Sequence, residues 1–421
     1  MNVQLTADDR ARIASADRNI VVNALSRYRS QVCPPWLSAT HPFPDGALPT
    51  GEAAFAAVSS ADMLEVIAAR GPLHVIDGWG YLGRAFSSML SGNAHAARHM
   101  AYYAELRAAL SILASSGIGV FNRRNAAVDA TGVVTVLSNF STHQMAWLAL
   151  AEWSAGSAST ERLIKPIQLL GASLLEPFRE FFPGQVATAA GQLMYNLGFD
   201  LRYGAVDRDE RNWSSYQPTA LAPIHTSPAQ DAAFLSMFWQ ACRPNGVELE
   251  RHLLRILLET EARSHDLEVS DYPHSFERLP ESTKAVIPFK FLTREDDPVD
   301  HDFILQLANR VVPAPPHAMM CRAGLLLKLA TGMAEENLRA AGVQPLLHFS
   351  DWWQDFGANH GLWRPGQPPV DNVELWGDID LALAECTAAP SGHRNEWLSS
   401  LAANSVRICE TERAALWGLF R

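Results

Sequence analysis

Between Tyr81 and Ser116 the chain commits to one local structure that everything else in it has to accommodate. Gly80 to Leu90 carries helical spacing, Ser91-Gly92-Asn93 is a tight turn whose Asn can cap the next helix, and Ala94 to Ser115 is that longer helix, stopped by Gly117. The pattern predicts an αα-hairpin. Helices joined by so short a turn lie antiparallel and share an apolar seam, so neighbouring segments must be built against them.

The rest of the chain also reads as mainly helical. Its 421 residues, 48% of them hydrophobic, suffice for one large or two ordinary packed domains. Thr6 followed by Ala-Asp-Asp predicts a capped helix to about Arg29, ended by Cys33-Pro-Pro, and a Pro/Gly/Ser-rich connection spans Trp36 to Gly51. A helix is expected over Ala53–Ala69 and a short buried strand over Leu73–Ile76. Ile118–Phe121 and Val133–Leu137 predict a small β-hairpin, and Ser141 and Thr142 cap a helix through Trp153. Further helices are expected at 164–182, 192–199, 231–241, 248–263, 318–340, 350–359, 373–387 and 395–419, with an irregular acidic insertion at Leu267–Asp302. Thr219–Gln230, dense in Pro, Ser and Thr, is a plausible junction. The fold class is therefore mainly α: a multi-helix bundle with a small β-hairpin insertion and a helical C-terminal half. The expected regions are 1–78, 79–218 and 219–421. Trp352, Trp353, Trp363, Trp376, Trp397 and Trp417 read as core anchors between the last helices.

Composition excludes several functional classes. Met1 to Thr6 has no basic stretch followed by an apolar run, and Ala318–Met333 is interrupted by Arg322 and Lys328, so neither a signal peptide nor a membrane span is expected. Cys33, Cys242, Cys321, Cys386 and Cys409 are odd in number, widely spaced and free of CxxC pairs, which suits a reducing cytoplasm and excludes a cysteine-rich zinc module. A net charge of −11 argues against coating nucleic acid by bulk electrostatics. There is no GxSxG elbow and no GxxxxGK[ST] phosphate loop, and Gly117-Ile118-Gly119 follows a helix and lacks the third glycine of a dinucleotide fingerprint. No cofactor is expected.

Chemistry-bearing residues gather in and near the hairpin. His95 and His99 stand one turn apart, a spacing that lets a helix offer two nitrogens to one metal, but the position of a zincin base is Ala96 and no third ligand is evident. Because Leu106, Leu110 and Leu113 continue that face, the histidines read first as core residues satisfied by hydrogen bonds. Between Trp79 and Val128, Arg84, Arg98, Arg107, Arg123 and Arg124 face the single acid Glu105, so the segment is locally basic in an acidic protein. The polar run Asp207 to Tyr216 reads as a solvated loop, with Trp213 suggesting that one side packs. Within it Arg211, Asn212 and Tyr216 offer donors to a phosphate or base.

The stretch His99-Met100-Ala101-Tyr102-Tyr103-Ala104-Glu105-Leu106-Arg107-Ala108-Ala109-Leu110 resembles the tyrosine-rich helix of the YaaC-like branch of the HEPN superfamily of bacterial helical proteins. The likeness covers about 45 residues around the hairpin at 80–122. It implies a helical core serving either as an interaction subunit, in a system such as phage defence or RNA-linked stress control, or as a metal-independent ribonuclease. Catalytic members carry Arg and His four to six residues apart on one helix. This hairpin departs from that pattern, since Arg84 and His95 are separated by a turn and Asn93 stands six before His99. Pairs at the right spacing, Arg294/His301 and Arg310/His317, enclose proline and are expected by chance.

The leading expectation is a cytoplasmic helical interaction subunit with a protein partner or a homo-oligomeric state, possible RNA contact and no membrane. A second is an endoribonuclease in which His95 or His99 moves the proton and Arg84, Arg98 or Arg211 stabilises the phosphate. A third is a metalloenzyme using the His95/His99 pair.

Overall fold

The computed structural model describes residues 4–30, 36–156, 158–184, 190–196, 204–218, 221, 227–243, 246–296, 315–388, 394–400 and 410–420. The expected stop at Cys33-Pro-Pro, most of the junction at Thr219–Gln230, the end of the acidic insertion and the middle of the last expected helix lie outside them, as do His301 and Arg310.

Thr6 opens α1 (Ala7–Ser15) with a capping box, its hydroxyl accepting from the Asp9 amide while the Asp9 carboxylate accepts from the Thr6 amide. The single N-terminal helix expected to reach Arg29 is instead broken at Ala16-Asp17. There the Asp17 amide donates to the Val128 carbonyl at 3.0 Å and Ala16 bridges to Asp129, so the backbone is diverted onto the sheet. The Asp17 side chain then caps α2 (Arg18–Leu25). After α3 (Glu52–Ala56) comes α4 (Ser60–Leu90), which runs unbroken through Pro72 and through residues 78 and 79. No strand forms at Leu73–Ile76. Val66, Ile67, Val75, Ile76 and Trp79 are all buried on this helix, and that burial overrides the propensity cost of the proline. Gly71 lets α5 (Ala94–Ser115) close in, because a Cβ there would meet Ser115 Oγ at 3.0 Å, and Ser111 donates to the Gly71 carbonyl at 2.8 Å. The helical hairpin is as expected, with Asn93 capping α5 through the Ala96 amide.

The expected two-stranded hairpin is a three-stranded antiparallel sheet in the order β1 (Ile118–Phe121), β2 (Arg124–Val128), β3 (Val134–Leu137). Ile118 pairs with Ala127, which pairs with Thr135. The outer edge of β3 is closed by side chains: Ser60 accepts from the Val134 amide and Arg12 donates to the Val136 carbonyl. α6 (Thr142–Ser154) starts at Ser141 as predicted. The helix expected from Ile164 to Phe182 is α7 (Ser159–Ile164), a small ribbon of β4 (Gln168–Leu169) and β5 (Ala172–Ser173), and α8 (Leu175–Phe181). The Leu170-Gly171 turn between those strands has both residues at positive φ, which no helix accommodates.

α9 (Ala190–Asn196), α10 (Gly204–Tyr216), α11 (Pro228–Ala241) and α12 (Glu248–Ser264) come next. The described part of the acidic insertion, read as irregular, contains short helices α13 (Pro273–Glu277), α14 (Glu281–Val286) and α15 (Phe289–Leu292), each begun at a proline. α16 (Pro316–Ala340), α17 (Pro345–His348), α18 (Ser350–Asn359), α19 (Asn372–Ala388) and α20 (Arg394–Ser399) complete the mainly helical chain. Among the described residues, no helix is long and apolar enough to cross a membrane.

α4, α5 and α16 pack on one another at the centre, and one continuous apolar core runs from Leu5 to Phe420. The segment Glu410–Phe420 lies directly on α4, where a Cβ at Gly83 would stand 2.1 Å from the Thr411 carbonyl. Of the six tryptophans expected as core anchors, Trp353, Trp376, Trp397 and Trp417 are buried, and Trp352 and Trp363 are half-buried against the core. Trp239 and Trp376 flank Trp417 at 4.9 and 6.4 Å.

The centre also contains charge. Arg322 of α16 donates through Nε to Glu105 of α5 at 3.2 Å and through Nη2 to Asp207 of α10 at 3.1 Å, all three side chains being essentially inaccessible. Arg322 and Lys328, which read in the sequence as interruptions of an apolar run, are buried because each meets a carboxylate; Lys328 Nζ lies 2.5 Å from Glu250. Removing one member of such a group leaves uncompensated buried charge. Arg322→Met is therefore expected to lower the unfolding free energy by about 3–5 kcal/mol, read as a fall in the denaturation midpoint in urea.

Candidate functional site

α10 is the polar run that reads in the sequence as a solvated loop, and it is a helix packed along α5 and α6. Its inward face is its polar face: Asp207, Arg211 and Ser214, spaced one turn apart, are buried. Arg322 anchors Asp207, and the next turn carries Arg211 into a nest of rings. The Arg211 guanidinium carbon sits 5.4 Å from the centroid of Tyr102 and 5.4 Å from that of Tyr103.

Arg211 is nine-tenths buried, and its Nε has no hydrogen-bond partner among the described residues. Among the described residues no carboxylate pairs with it, since the acids on its own helix are turned to other cations. Asp207 goes to Arg322, and Glu210 lies 3.9 Å from Arg98. A buried guanidinium with only aromatic faces for company is an incompletely compensated positive charge.

Two imidazoles flank it. His99 Nδ1 is 2.7 Å from Ser215 Oγ, and the Ser215 hydroxyl donates to the Arg211 carbonyl at 2.9 Å. With its only proton spent, Ser215 accepts from His99, so the neutral ring carries hydrogen on Nδ1 and keeps its lone pair on Nε2. His143, in the first turn of α6, has its Nδ1 2.9 Å from the Tyr102 hydroxyl, whose oxygen receives Trp147 Nε1 at 3.5 Å. That order hands the Tyr102 proton to His143 Nδ1 and leaves hydrogen on Nε2, the opposite tautomer. The ring of Tyr103 lies 5.1 Å from that of His99 and 6.0 Å from that of His143. Burial first, and then the charge of Arg211, lowers both histidines below the ordinary imidazole value, His143 to about 4 with a contribution from Arg208. Burial likewise raises the Tyr102 phenol, which stays protonated.

The structure brings together His99, Arg98 and Arg211 from the sequence-predicted set and separates the others. His95 lies against Trp213 at 5.6 Å, and Arg98, also over Trp213, donates to Ser214 at 3.0 Å. Asn212 is half-buried on α10, whereas Tyr216 is 77% exposed at the helix end. Arg84 stands exposed on α4, 5.4 Å from the Tyr81 ring. His95 and His99 line the contact with α10 and do not enter the core that holds Leu106 and Leu110. Among the described residues no group of three or more His, Cys, Asp or Glu could hold a metal. Arg123 and Arg124 occupy the turn between β1 and β2, where Arg124 donates to the Thr50 carbonyl, and Arg107 lies 3.4 Å from Asp77. The local basic charge of the hairpin is thus spent at several places. Sequence reading missed His143, Tyr102 and Tyr103 as site residues. The available signal was the Tyr-Tyr pair one turn beyond His99, combined with a histidine in the first turn of a capped helix.

Compared with protein-family models, with curated proteins and with solved structures, the chain has no match in any of the three.

Both lowered histidines bind fewer protons folded than unfolded below the ordinary imidazole value, over a window that for His143 reaches down to about pH 4. Their contribution to stability is present above the unfolded value and is lost as pH falls through the folded one. His143→Gln is expected to flatten the decline of the urea midpoint between pH 6.5 and 4 relative to the parent protein, by the titration of a single imidazole. Superimposable pH profiles would refute the assignment.

Proposed function

We propose that the cluster on α5, α6 and α10 is a phosphate site at which the protein cleaves RNA as a metal-independent endoribonuclease. The observation that carries this reading is Arg211: a buried guanidinium without a carboxylate partner among the described residues, set beside two imidazoles that are each hydrogen-bonded through Nδ1. The resemblance of the tyrosine-rich helix to HEPN proteins points the same way, although the residues assembled here are not at that family's usual spacing.

The chemistry assigns a task to each group. Arg211 and the Nε2–H of His143 hold the non-bridging oxygens of a phosphodiester, where negative charge builds as phosphorus becomes pentacoordinate. His99 Nε2 takes the proton of the ribose 2′-hydroxyl, whose oxygen attacks the adjacent phosphorus while the bond to the 5′-oxygen breaks. The proton on His99 passes by way of solvent to the departing 5′-oxygen. The products are a 2′,3′-cyclic phosphate and a 5′-hydroxyl, and no external oxidant, reductant or metal enters the balance.

The expected outcome is cleavage of single-stranded RNA in the presence of EDTA. Its kcat/KM should rise with pH to a plateau, with the midpoint of the rise below the ordinary imidazole value, because the free enzyme needs neutral His99 and burial has lowered that group. His99→Ala should cost about 10²–10⁴-fold with the fold retained, and Arg211→Lys should recover part of what Arg211→Ala loses. Intact RNA of diverse sequence after incubation with the EDTA-treated protein at pH 7 would overturn the proposal.

A second reading, the interaction subunit, draws on Leu346 and Leu347 of α17, which are 53% and 65% exposed beside a groove of about 630 Å³. Self-association through this face predicts a dimer in sedimentation that Leu347→Asp dissociates. A monomer at all concentrations would count against it.

A further inference from the structure

Beyond the phosphate site, the ring of Tyr103 continues into a second array on the exposed seam between α4 and α5. Tyr81 stacks on Tyr103 with centroids 5.3 Å apart and planes 24° from parallel. Arg84 and Arg107 stand over Tyr81 at 5.4 and 5.8 Å, so the stacked pair of rings is bracketed by the guanidinium groups of Arg211 and Arg84. Tyr81 and Arg107 are half-buried and Arg84 is exposed. Arg84 lies over the ring of Tyr81 on its own helix and makes no close ion pair with a described carboxylate, although its charge is felt by Asp77. Arg107 is held differently, 3.4 Å from Asp77 and 3.0 Å from His74 Nδ1.

We infer that Tyr81 and Arg84 form a subsite for the nucleotide flanking the phosphate held at Arg211, with the base stacking on the Tyr81–Tyr103 pair and its phosphate meeting Arg84. The inference rests on the phosphate reading of Arg211. A π-face accepts any base, and a guanidinium accepts any backbone phosphate, so the ligand class is a single strand without sequence preference. A duplex buries the faces of its bases and cannot use the platform. The exposed carboxylate of Asp77 repels a phosphate and marks the end of the path beyond Arg107.

The test measures binding apart from cleavage, by fluorescence anisotropy of the full chain with a labelled 2′-O-methyl decaribonucleotide, which lacks the attacking hydroxyl. Tyr81→Ala is expected to raise Kd about tenfold while Tyr81→Phe stays within about twofold of the parent, since stacking and not the hydroxyl is at stake. Arg84→Ala, at an exposed position that leaves the fold intact, should reduce the slope of log K against log salt by about 0.7, the value for one phosphate of a single strand. Asp77→Asn should tighten binding. Parental affinity in both Tyr81→Ala and Arg84→Ala would overturn the subsite while leaving the nuclease reading intact. Failure of the parent protein to bind the decamer would overturn the subsite directly. Binding with the expected Tyr81 dependence but without cleavage of the unmodified strand would uphold the subsite and overturn the nuclease.

Discussion

Arg322 organises the interior of this protein. Its two carboxylate partners come from α5 and α10, helices separated by about a hundred residues of chain, and the cation that joins them comes from α16 in the C-terminal half. Desolvating three charged groups is costly, and their mutual attraction returns that cost only when the geometry is met. The penalty therefore acts as a positional constraint. α10 cannot slide or rotate on α5 without leaving Asp207 or Glu105 buried and unpaired, and the hydrophobic effect alone, being non-directional, would not fix that register. The core around it, including Tyr102, Ala104, Leu325 and Leu329, supplies the bulk of the burial.

The site inherits its geometry from that constraint. Arg211 lies one turn after Asp207, and Ser214 and Ser215 one further turn along, so fixing Asp207 fixes which groups face Tyr102, Tyr103 and His99. Ser215 transmits the effect in two steps. By donating to the Arg211 carbonyl it becomes an acceptor for His99, and so it sets the tautomer of the ring. His143 arrives by another route, through the Ser141 capping box that begins α6, and receives the opposite tautomer from Tyr102. Helix ends and helix faces, and no loop, hold the groups of this cluster.

One physical rule separates the features legible in the sequence from those hidden in it: local signals can be read, and remote contacts cannot. Asn93, Ser141 and the apolar periodicity of Ala318–Ala340 announce their helices because caps and apolar stripes are local. α10 was hidden because its buried face is Asp207, Arg211 and Ser214, so its apolar pattern reports nothing about which side is inside. The continuity of α4 was hidden by Pro72, whose local cost is overridden by packing against α5 and α16, partners remote in sequence. The break at Ala16 was invisible for a similar reason, since it depends on a hydrogen bond to Val128. Of the site itself, His99, Arg98 and Arg211 could be singled out by residue type. His143 could not, because nothing local says that the first turn of α6 meets the middle of α5.

An acidic protein and the proposed site for an anion are compatible once individual charges are followed to their partners. Of the hairpin's arginines, Arg98 faces Glu210, Arg107 faces Asp77 and Arg124 is spent on a backbone carbonyl, so the net charge of the segment overstates what is available to a ligand. Arg211 is different because its neighbouring acids are already committed, Asp207 to Arg322 and Glu210 to Arg98. Tyr102 and Tyr103 compensate it in part, as ring faces attract a cation by about 0.5–2 kcal/mol, much less than burying a charge costs. An apolar residue in its place would pack against the same rings without that penalty. Neutral imidazoles on either side add no competing positive charge, and their low proton affinity is itself a consequence of burial and of the guanidinium. Among the described residues the cluster thus holds a charge that no carboxylate neutralises, and in the proposed site a bound phosphate would supply the counter-charge while relieving the lowered proton affinity of both histidines.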